Sequence, residues 1–592
     1  MRIEYKNRTL ENAIIALNCV AIGVVAATFV MLFGFDDPPL PRMLLRYIDG
    51  GMFFFFFTEK VLRYFNAVSK REYFRMYWFE IPLLATVLFA IIGAGRWYTG
   101  GSPREFALDA VSVYLAFQVV DKLCRSIVHL AATGHNPARS LMAIFVVLIL
   151  AGAGLLMLPK SHNLESMSFT NATFMATSAT CVTGLTVMDT GNSFSFFGEV
   201  VILFLIQLGG LGIVIFGAVL GLLLGQSFTV RESAAMQDLL SADTLNRIAR
   251  MIGFIFITTL VIETVGAVLL YSMWDNVPGI VEGVRQKWWA SVFHSVSAFC
   301  NAGFGLLEPN MMDYSRCHQV YTVVAPLIIL GGLGFSVLYN LTDLSICRVA
   351  SWFRKGVCMP DLLHTKSPKR LTLQTKIVLT VSAVLIVGGM LLLRLFESYS
   401  NNPAADTRWC SAYFQSVSAR TAGFNSVNIG ALSQGSKLVL ILLMCIGGSP
   451  GSTAGGFKTT TFAVIVMVAW ATLRKRREVE IFKRSVRLVV LGRAIAILTL
   501  YVGVLLTATL ALTITEHNYS CDLLDLAFEA ASALGTVGLS TGITASLTTA
   551  GKWIIIITML IGRLGPLTLL TALLFSTRPG KYEYPSEPLV VG

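Results

Sequence analysis

Four short stretches of this sequence could together perform one kind of chemistry, the replacement of a cation's water shell by main-chain oxygens. They read Phe174-Met-Ala-Thr-Ser178-Ala-Thr180-Cys181-Val182-Thr183-Gly184, Phe293-His-Ser-Val-Ser297-Ala-Phe-Cys300-Asn301-Ala302-Gly303, Phe414-Gln-Ser-Val-Ser418-Ala-Arg420-Thr421-Ala422-Gly423 and Phe528-Glu-Ala-Ala-Ser532-Ala-Leu-Gly535-Thr536-Val537-Gly538. Each opens on phenylalanine, carries a Ser-Ala pair and ends on glycine, and the glycines lie 119, 120 and 115 residues apart. Glycine reaches φ > 0 without a Cβ penalty, so neighbouring carbonyls can face a common axis. Four such loops around an axis would present a ring of carbonyls to a dehydrated cation. A short helix leading into each loop would aim its partly negative C-terminus at the same place. Small residues also serve helix packing, but packing alone does not account for the Ser-Ala lead-in.

A second repeat follows the first. Each loop glycine is succeeded, some two dozen residues on, by a small-residue cluster inside an apolar run: Gly209-Gly-Leu-Gly212, Gly331-Gly-Leu-Gly334, Gly447-Gly-Ser-Pro-Gly451 and Gly562-Arg563-Leu-Gly565. We read these clusters as close helix packing. In the third unit the interruption is longer, running from Gly447 through Gly451, Ser452, Thr453, Ala454, Gly455 and Gly456 to Lys458 and Thr461. Glycine and proline here would break a straight helix. Arg563 lies mid-span, where a charge is costly and therefore a functional candidate; Glu529 and Glu263 are its candidate partners, although structural hydrogen bonding is the preferred reading of both glutamates. Lys458 could oppose cation flow or snorkel to the cytoplasmic face.

The elements that position these loops are membrane spans. The chain is 55% hydrophobic and 14% charged, with a mean hydropathy of +0.69, more apolar surface than a soluble fold can bury. Runs near 140–158, 196–225, 249–274, 321–341, 375–396, 437–446 with 460–473, 494–515 and 551–576 are long enough, alone or joined, to cross a bilayer. Basic clusters at Arg354–Lys376 and Arg474–Arg487 mark cytoplasmic loops, with the N-terminus on the same side. The net charge of +12 is thus a matter of topology, and nucleic acid is not an expected partner. The first apolar run lacks a signal-cleavage pattern. The ten cysteines form no CxxC pair; free thiols are the default, with Cys410 and Cys521 as one conceivable external pair. There is no GxxxxGK[ST] phosphate loop, which argues against a nucleotide-driven pump and against an enzyme generally.

The expected architecture is an all-α polytopic membrane protein of four pseudo-symmetric helix–pore loop–helix repeats around one pore. The divisions are 1–139 N-terminal transmembrane region, 140–225, 247–347, 374–474 and 486–577 for the repeats, and 578–592 for a cytoplasmic tail. About four spans precede the repeats, near 11–34, 44–66, 74–97 and 106–132. The second and third of these resemble helices of a voltage-sensor domain, through Phe56-Phe-Thr-Glu59-Lys-Val-Leu-Arg63 and Tyr73-Phe-Arg-Met-Tyr-Trp78-Phe-Glu80. A working sensor needs regularly spaced cations on its fourth helix; here that helix offers Lys122, Arg125 and His129. The region is read as a degenerate sensor serving docking or modulation.

At Thr180–Leu185, Ser297–Phe304, Ser418–Phe424 and Gly535–Leu539 the sequence resembles the Ktr/Trk/HKT superfamily of K⁺ transporters, most closely the membrane subunit of a Ktr-type system; Arg370–Lys376 and Gly447–Thr461 share the resemblance. It covers about residues 140–577. It implies K⁺ uptake at the plasma membrane, the bacterial inner membrane, with K⁺ held at the filter residues and no organic cofactor on the chain. Glycine in all four loops implies K⁺ preference; a Na⁺-permeable member and a voltage-modulated cation channel are the alternatives. The resemblance makes 447–461 an intramembrane gate beneath the filter and places Arg563 there, facing the ion path. It further implies a homodimer, each chain with its own pore, on a cytosolic ring of nucleotide-binding regulatory subunits. The basic loops are candidate contacts for that ring, with anionic lipid as the alternative.

Overall fold

The computed structural model describes residues 6–35, 37–71, scattered positions from Tyr73 to Lys122, 137–164, 166–212, 245–277, 281, 283–353, 371–400, 408–476, 478–486, 488–517 and 522–573. Two helices open the chain, α1 (Arg8–Gly34) and α2 (Arg42–Asn66). They form a hairpin whose ends are tied by Lys6 N to Asn66 O at 2.8 Å and Asn7 N to Asn66 Oδ1 at 2.9 Å. The span expected over 74–97 lies outside the described residues apart from Val87, and of 106–132 the described positions between Leu108 and Lys122 are helical.

Beyond them the chain runs four times through a long helix, a short buried helix, an irregular loop and a broken second helix. The first unit comprises α3 (Pro137–Leu156), α4 (Phe169–Thr180) and α5 (Phe196–Leu211). The second comprises α6 (Leu245–Leu270), α7 (Val284–Phe299), α8 (Ala325–Leu333) and α9 (Phe335–Phe353). The third comprises α10 (Leu373–Tyr399), α11 (Trp409–Ser418), α12 (Gln434–Cys445) and α13 (Thr459–Leu473). The fourth comprises α14 (Leu488–Thr515), α15 (Leu523–Gly535), α16 (Thr549–Leu564) and α17 (Pro566–Leu573). A hairpin of two-residue strands, β1 (Glu480–Ile481) and β2 (Arg484–Ser485), joins the last two units and, with two isolated bridges, is all the β-structure among the described residues.

Local sequence explains the helix starts. Ser168, Thr372, Ser433 and Thr548 each cap a helix by accepting the amide three residues on. The long helices are apolar yet largely uncovered: the window within Val490–Thr515 is only 17% buried and that of Leu373–Tyr399 28%. Apolar surface left open on that scale faces lipid rather than water. The short helices are the reverse. From Ala172 to Thr180 every residue of α4 is buried, including Thr173, Thr177 and Ser178, and α7, α11 and α15 are covered likewise toward their C-termini. The protein core therefore forms around four partly polar half-helices.

One expectation changes. Over the described parts of 196–225, 321–341 and 551–576 the helix does not run on, because it breaks at the last glycine of its cluster. Gly212, Gly334 and Gly565 take φ of +83°, +88° and +84°, and α8 and α9 meet at 104°. Packing, the expected role of the clusters, is seen at their first glycine: a Cβ on Gly209, Gly331 or Gly562 would collide with the carbonyl of Thr180, Phe299 or Leu534 at the end of a half-helix.

Several sequence expectations fall outside the described residues: the side chains of Arg125, His129, Trp78 and Glu80, the basic run 354–370, Cys521 with its pairing to Cys410, and the tail 578–592. Cys410 itself is an exposed thiol.

Candidate ion-conduction site

The C-termini of α4, α7, α11 and α15 converge on four loops that share one backbone path. Two residues before each loop glycine stands a non-glycine residue in the left-handed region: Val182 at φ 57°, Asn301 at 58°, Thr421 at 70° and Thr536 at 48°. The glycines follow with φ of 89° at Gly184, 70° at Gly303, 80° at Gly423 and 95° at Gly538. Left-handed backbone at a β-branched residue such as Val182 is a true outlier and marks a constrained site. The loops also close into a ring. A Cβ on Gly184 would lie within 3 Å of Ala302 O, one on Gly303 of Ala422 O, one on Gly423 of Val537 O, and one on Gly538 of Thr183 O. Each glycine thus abuts the carbonyl preceding the glycine of the next unit, in the order one, two, three, four, one.

Among the remaining sequence-selected residues, Thr180 ends α4, Cys181 and Cys300 cap their helices, and Gly535 ends α15. The hydroxyls of Thr180, Thr183, Thr421 and Thr536 are buried and without a hydrogen-bond partner. Buried hydroxyls ordinarily find partners, so these four hydroxyl oxygens are left without one beside the ring. Among the described residues no group of three or more His, Cys, Asp or Glu side chains gathers as for a metal ion. Arg420 is different: its guanidinium turns away from the ring to Gly447 O at 3.3 Å.

The Ser-Ala serine holds each loop to its own helix. Ser178 Oγ accepts from Gly184 N at 3.0 Å and Ser532 Oγ from Gly538 N at 3.1 Å. Ser297 Oγ donates to Phe304 O at 2.7 Å, and Ser418 Oγ donates to Phe424 O. Outside the ring, Glu529 fixes the following loop by accepting from Ser540 Oγ at 2.5 Å, Thr541 N at 3.2 Å and Thr544 Oγ1 at 2.8 Å. His294 holds the corresponding place in the second unit, between Ala290 O at 2.7 Å and Leu306 N at 3.3 Å. Sequence reading missed His294, although its position right after the opening phenylalanine, matching Glu529, was a usable signal.

A cavity of about 330 Å³ stands over the ring, lined by all four glycines together with Asp189 and Glu308. Asn192 Nδ2 donates to Glu308 at 3.3 Å, and Asp189 caps a short turn through Asn192 N at 3.0 Å. Burial, reinforced by the neighbouring Glu308 charge, raises the Asp189 carboxyl above its ordinary 3.8. On the opposite side of the ring lies the loop 447–458. Its neck is pinched by Gly447 N to Phe457 O at 3.0 Å and Phe457 N to Cys445 O at 3.2 Å. Gly451 and Gly456 are left-handed, at φ 69° and 65°. Ser452 Oγ donates to Ser449 O at 2.6 Å, and Ala454 is buried. Gly455 presses against Thr536 and Gly535 so closely that a Cβ would strike the Thr536 hydroxyl. Thr453 Oγ1 donates to Phe299 O at 3.2 Å. Arg563 bridges this loop to the first unit, Nη1 donating to Thr453 O at 2.6 Å and Nη2 to Gly209 O. It therefore contacts the loop, and neither Glu529 nor Glu263 pairs with it. The Lys458 ammonium does not snorkel; it donates to Ala454 O at 2.9 Å and Gly455 O at 3.4 Å.

In the N-terminal unit, Lys122 Nζ lies 3.1 Å from Glu59, 2.8 Å from Asn18 Oδ1 and 4.1 Å from the centre of the Phe56 ring. Arg63 pairs with both Glu59 and Glu11 at 2.9 Å.

A family profile described as TrkH, cation transport protein, matches residues 112–582. The Ktr system potassium uptake protein B of Bacillus subtilis is 37% identical over 464 residues, covering 77% of this chain and 97% of that protein. The protein of the same description from Vibrio alginolyticus is 37% identical, covering 78% and 96%. The potassium/sodium uptake protein NtpJ of Enterococcus hirae is 33% identical, covering 77% and 97%. The fold is similar to the crystal structure of the potassium transporter TrkH from Vibrio parahaemolyticus, with a TM-score of 0.57 over 84% of this chain and 96% of that one at 19% identity. With several apolar helices long enough to cross a bilayer and a family match over most of its length, this chain is a multi-pass membrane protein and not an enzyme, and it belongs to the TrkH family of cation transport proteins.

Proposed function

We propose that this protein takes up K⁺ across the plasma membrane of a bacterial cell, through a filter formed by residues 180–184, 300–303, 420–423 and 535–538. The observation that carries the reading is the closed ring in which each loop glycine meets the next unit's carbonyl. An ion entering the acidic cavity at Asp189 and Glu308 exchanges its waters for carbonyls and for the unpartnered threonine hydroxyls, since main-chain oxygens in sufficient number replace a hydration shell. Arg420 takes part in the filter through its backbone alone, its side chain serving the gate neck at Gly447 O. Below the ring, the loop with Gly451, Ser452, Thr453, Ala454, Gly455, Gly456 and Lys458 acts as the gate, latched by Arg563. The N-terminus is cytoplasmic, and the repeat boundaries are those drawn from the sequence.

The chain works as a homodimer on a cytosolic nucleotide-binding ring. Arg474, Lys475 and Arg476 with Lys483 and Arg484 form an exposed basic hairpin region suited to an acidic partner surface, while anionic lipid is the competing occupant. A Na⁺-permeable protein is the second reading, favoured by the 33% identity to a relative described for potassium and sodium. Voltage modulation is a third, supported by the buried Lys122–Glu59 pair. Rescue of a K⁺-uptake-deficient bacterium at low external K⁺, with K⁺ and Na⁺ fluxes measured in proteoliposomes, separates these. No rescue and no K⁺ flux from correctly inserted protein would sink the proposal.

A further inference from the structure

Behind the second filter loop lies a buried polar cluster that the conduction path does not use. Glu263, on α6 at the middle of the apolar span Arg250–Asn276, is 6% exposed. Its Oε2 accepts from Gln207 Nε2 of α5 at 3.3 Å, and its Oε1 lies 3.9 Å from Cys300 Sγ. Gln207 Oε1 lies 3.6 Å from the same thiol. A carboxyl at this depth is expensive, and among the described residues no ion pair engages it. Cys300 is itself a filter-loop residue and fully buried, and Gly210 leaves it room, since a Cβ there would sit 2.6 Å from the sulfur.

The cluster belongs to a closed circuit. One residue before Cys300, Phe299 O accepts from Thr453 Oγ1 of the gate loop at 3.2 Å. Thr453 O accepts from Arg563 Nη1, and Arg563 Nη2 donates to Gly209 O, two residues from Gln207 on α5. The path runs Thr453, Phe299, Cys300, Glu263, Gln207, Gly209, Arg563 and back to Thr453. Gate loop and filter loop are thus held against each other from two sides.

We propose that Glu263 is a positioning residue that joins the gate loop to the second filter loop, so that loss of its contacts alters the choice between K⁺ and Na⁺. The inference rests on the filter reading above. Adjacency alone does not establish coupling; a double-variant cycle does. The test uses the full chain in proteoliposomes, with K⁺ and Na⁺ fluxes under one driving force. Glu263→Ala lowers the K⁺/Na⁺ ratio at least threefold. Glu263→Gln lowers it less, because its amide still accepts one hydrogen bond and donates one. Thr453→Val combined with Glu263→Ala lowers it by less than the product of the single effects. A Glu263→Ala protein with an unchanged ratio overturns the positioning role, and a multiplicative double variant overturns the link to the gate. Should Glu263→Ala fail to insert, Cys300→Ala is read the same way: a reduced ratio supports the inference and an unchanged one overturns it. A wild-type chain without K⁺ preference would instead sink the filter reading, and this inference with it.

Discussion

Replacing Arg563 by glutamine should open the gate. The guanidinium makes two hydrogen bonds, to Thr453 O at 2.6 Å and to Gly209 O, and both hold the loop beneath the ring. Hydrogen bonds to a charged group contribute about 1.5–3 kcal/mol each. Glutamine is shorter and carries one amide group, so it cannot span both carbonyls. Losing one of the two costs the closed arrangement about 1.5–3 kcal/mol, a shift of roughly 10- to 10²-fold in a two-state gate. Removal of a positive charge beneath the ring acts in the same direction. K⁺ flux from proteoliposomes holding the chain alone should therefore rise until the open fraction saturates. Lysine at 563 keeps the charge but loses the fork, so its flux should fall between wild type and glutamine. Flux at or below the wild-type level in a correctly inserted Arg563→Gln protein would refute the latch.

Gly184→Ser would place a side chain against Ala302 O at a φ of +89°, a conformation costing an L-residue about 1–2 kcal/mol. The K⁺/Na⁺ flux ratio should fall severalfold as the strained loop gives way, and an unchanged ratio would remove Gly184 from the filter. The Asp189 carboxyl is raised by burial and then by Glu308, so on external acidification it takes up its proton at a higher pH than free aspartate. Its attraction for cations is lost as pH falls through that raised value, and uptake at low K⁺ should drop with it; Asp189→Asn should lower uptake severalfold at low ionic strength and flatten that part of the pH profile. Protonation favours the folded state of a carboxyl shifted in this direction, so unfolding at Asp189 would not mimic the effect; a pH profile identical in the variant would dismiss it. Removal of residues 1–135 should leave a conducting core, and total loss of flux from an inserted core would show that α1 and α2 are needed for conduction.

How much of this was legible in advance follows the kind of force involved. Apolar run length sufficed for the long first helix of each unit, and the repeated Phe, Ser-Ala and Gly positions marked the four loops with left-handed backbone, because hydropathy and backbone freedom are properties of single residues or short windows. The breaks at Gly212, Gly334 and Gly565 were hidden, since a glycine inside an apolar run reads equally as packing; only the carbonyls of Thr180, Phe299 and Leu534 against the first glycine of each cluster reveal the difference. Arg420 sat inside a filter motif, yet the direction of its side chain depends on Gly447, a contact 27 residues away. Glu263 and Glu529 read as structural hydrogen bonders in the sequence and make such bonds in the structure, but their particular partners depend on how separate helices pack.

The filter glycines illustrate which physical demand a motif records. Freedom to adopt φ > 0 is the obvious reason for glycine, but it is an incomplete one, because Val182, Asn301, Thr421 and Thr536 carry the same left-handed backbone with full side chains. Those residues cost of order 1–2 kcal/mol each and persist because the serine bonds and the surrounding half-helices hold the loops in place. What separates the two positions is the neighbour. At Gly184, Gly303, Gly423 and Gly538 a Cβ would meet the next unit's carbonyl, whereas Val182, Asn301, Thr421 and Thr536 bury their side chains within the packed protein. Glycine is therefore required where a Cβ would meet the next unit's carbonyl, and strain is tolerated where the packing leaves room for a side chain. Introducing Ala at any one of the four should disturb the adjoining unit's carbonyl as much as its own, so under the proposed filter reading the effect on ion choice should spread around the ring and not stay with one loop.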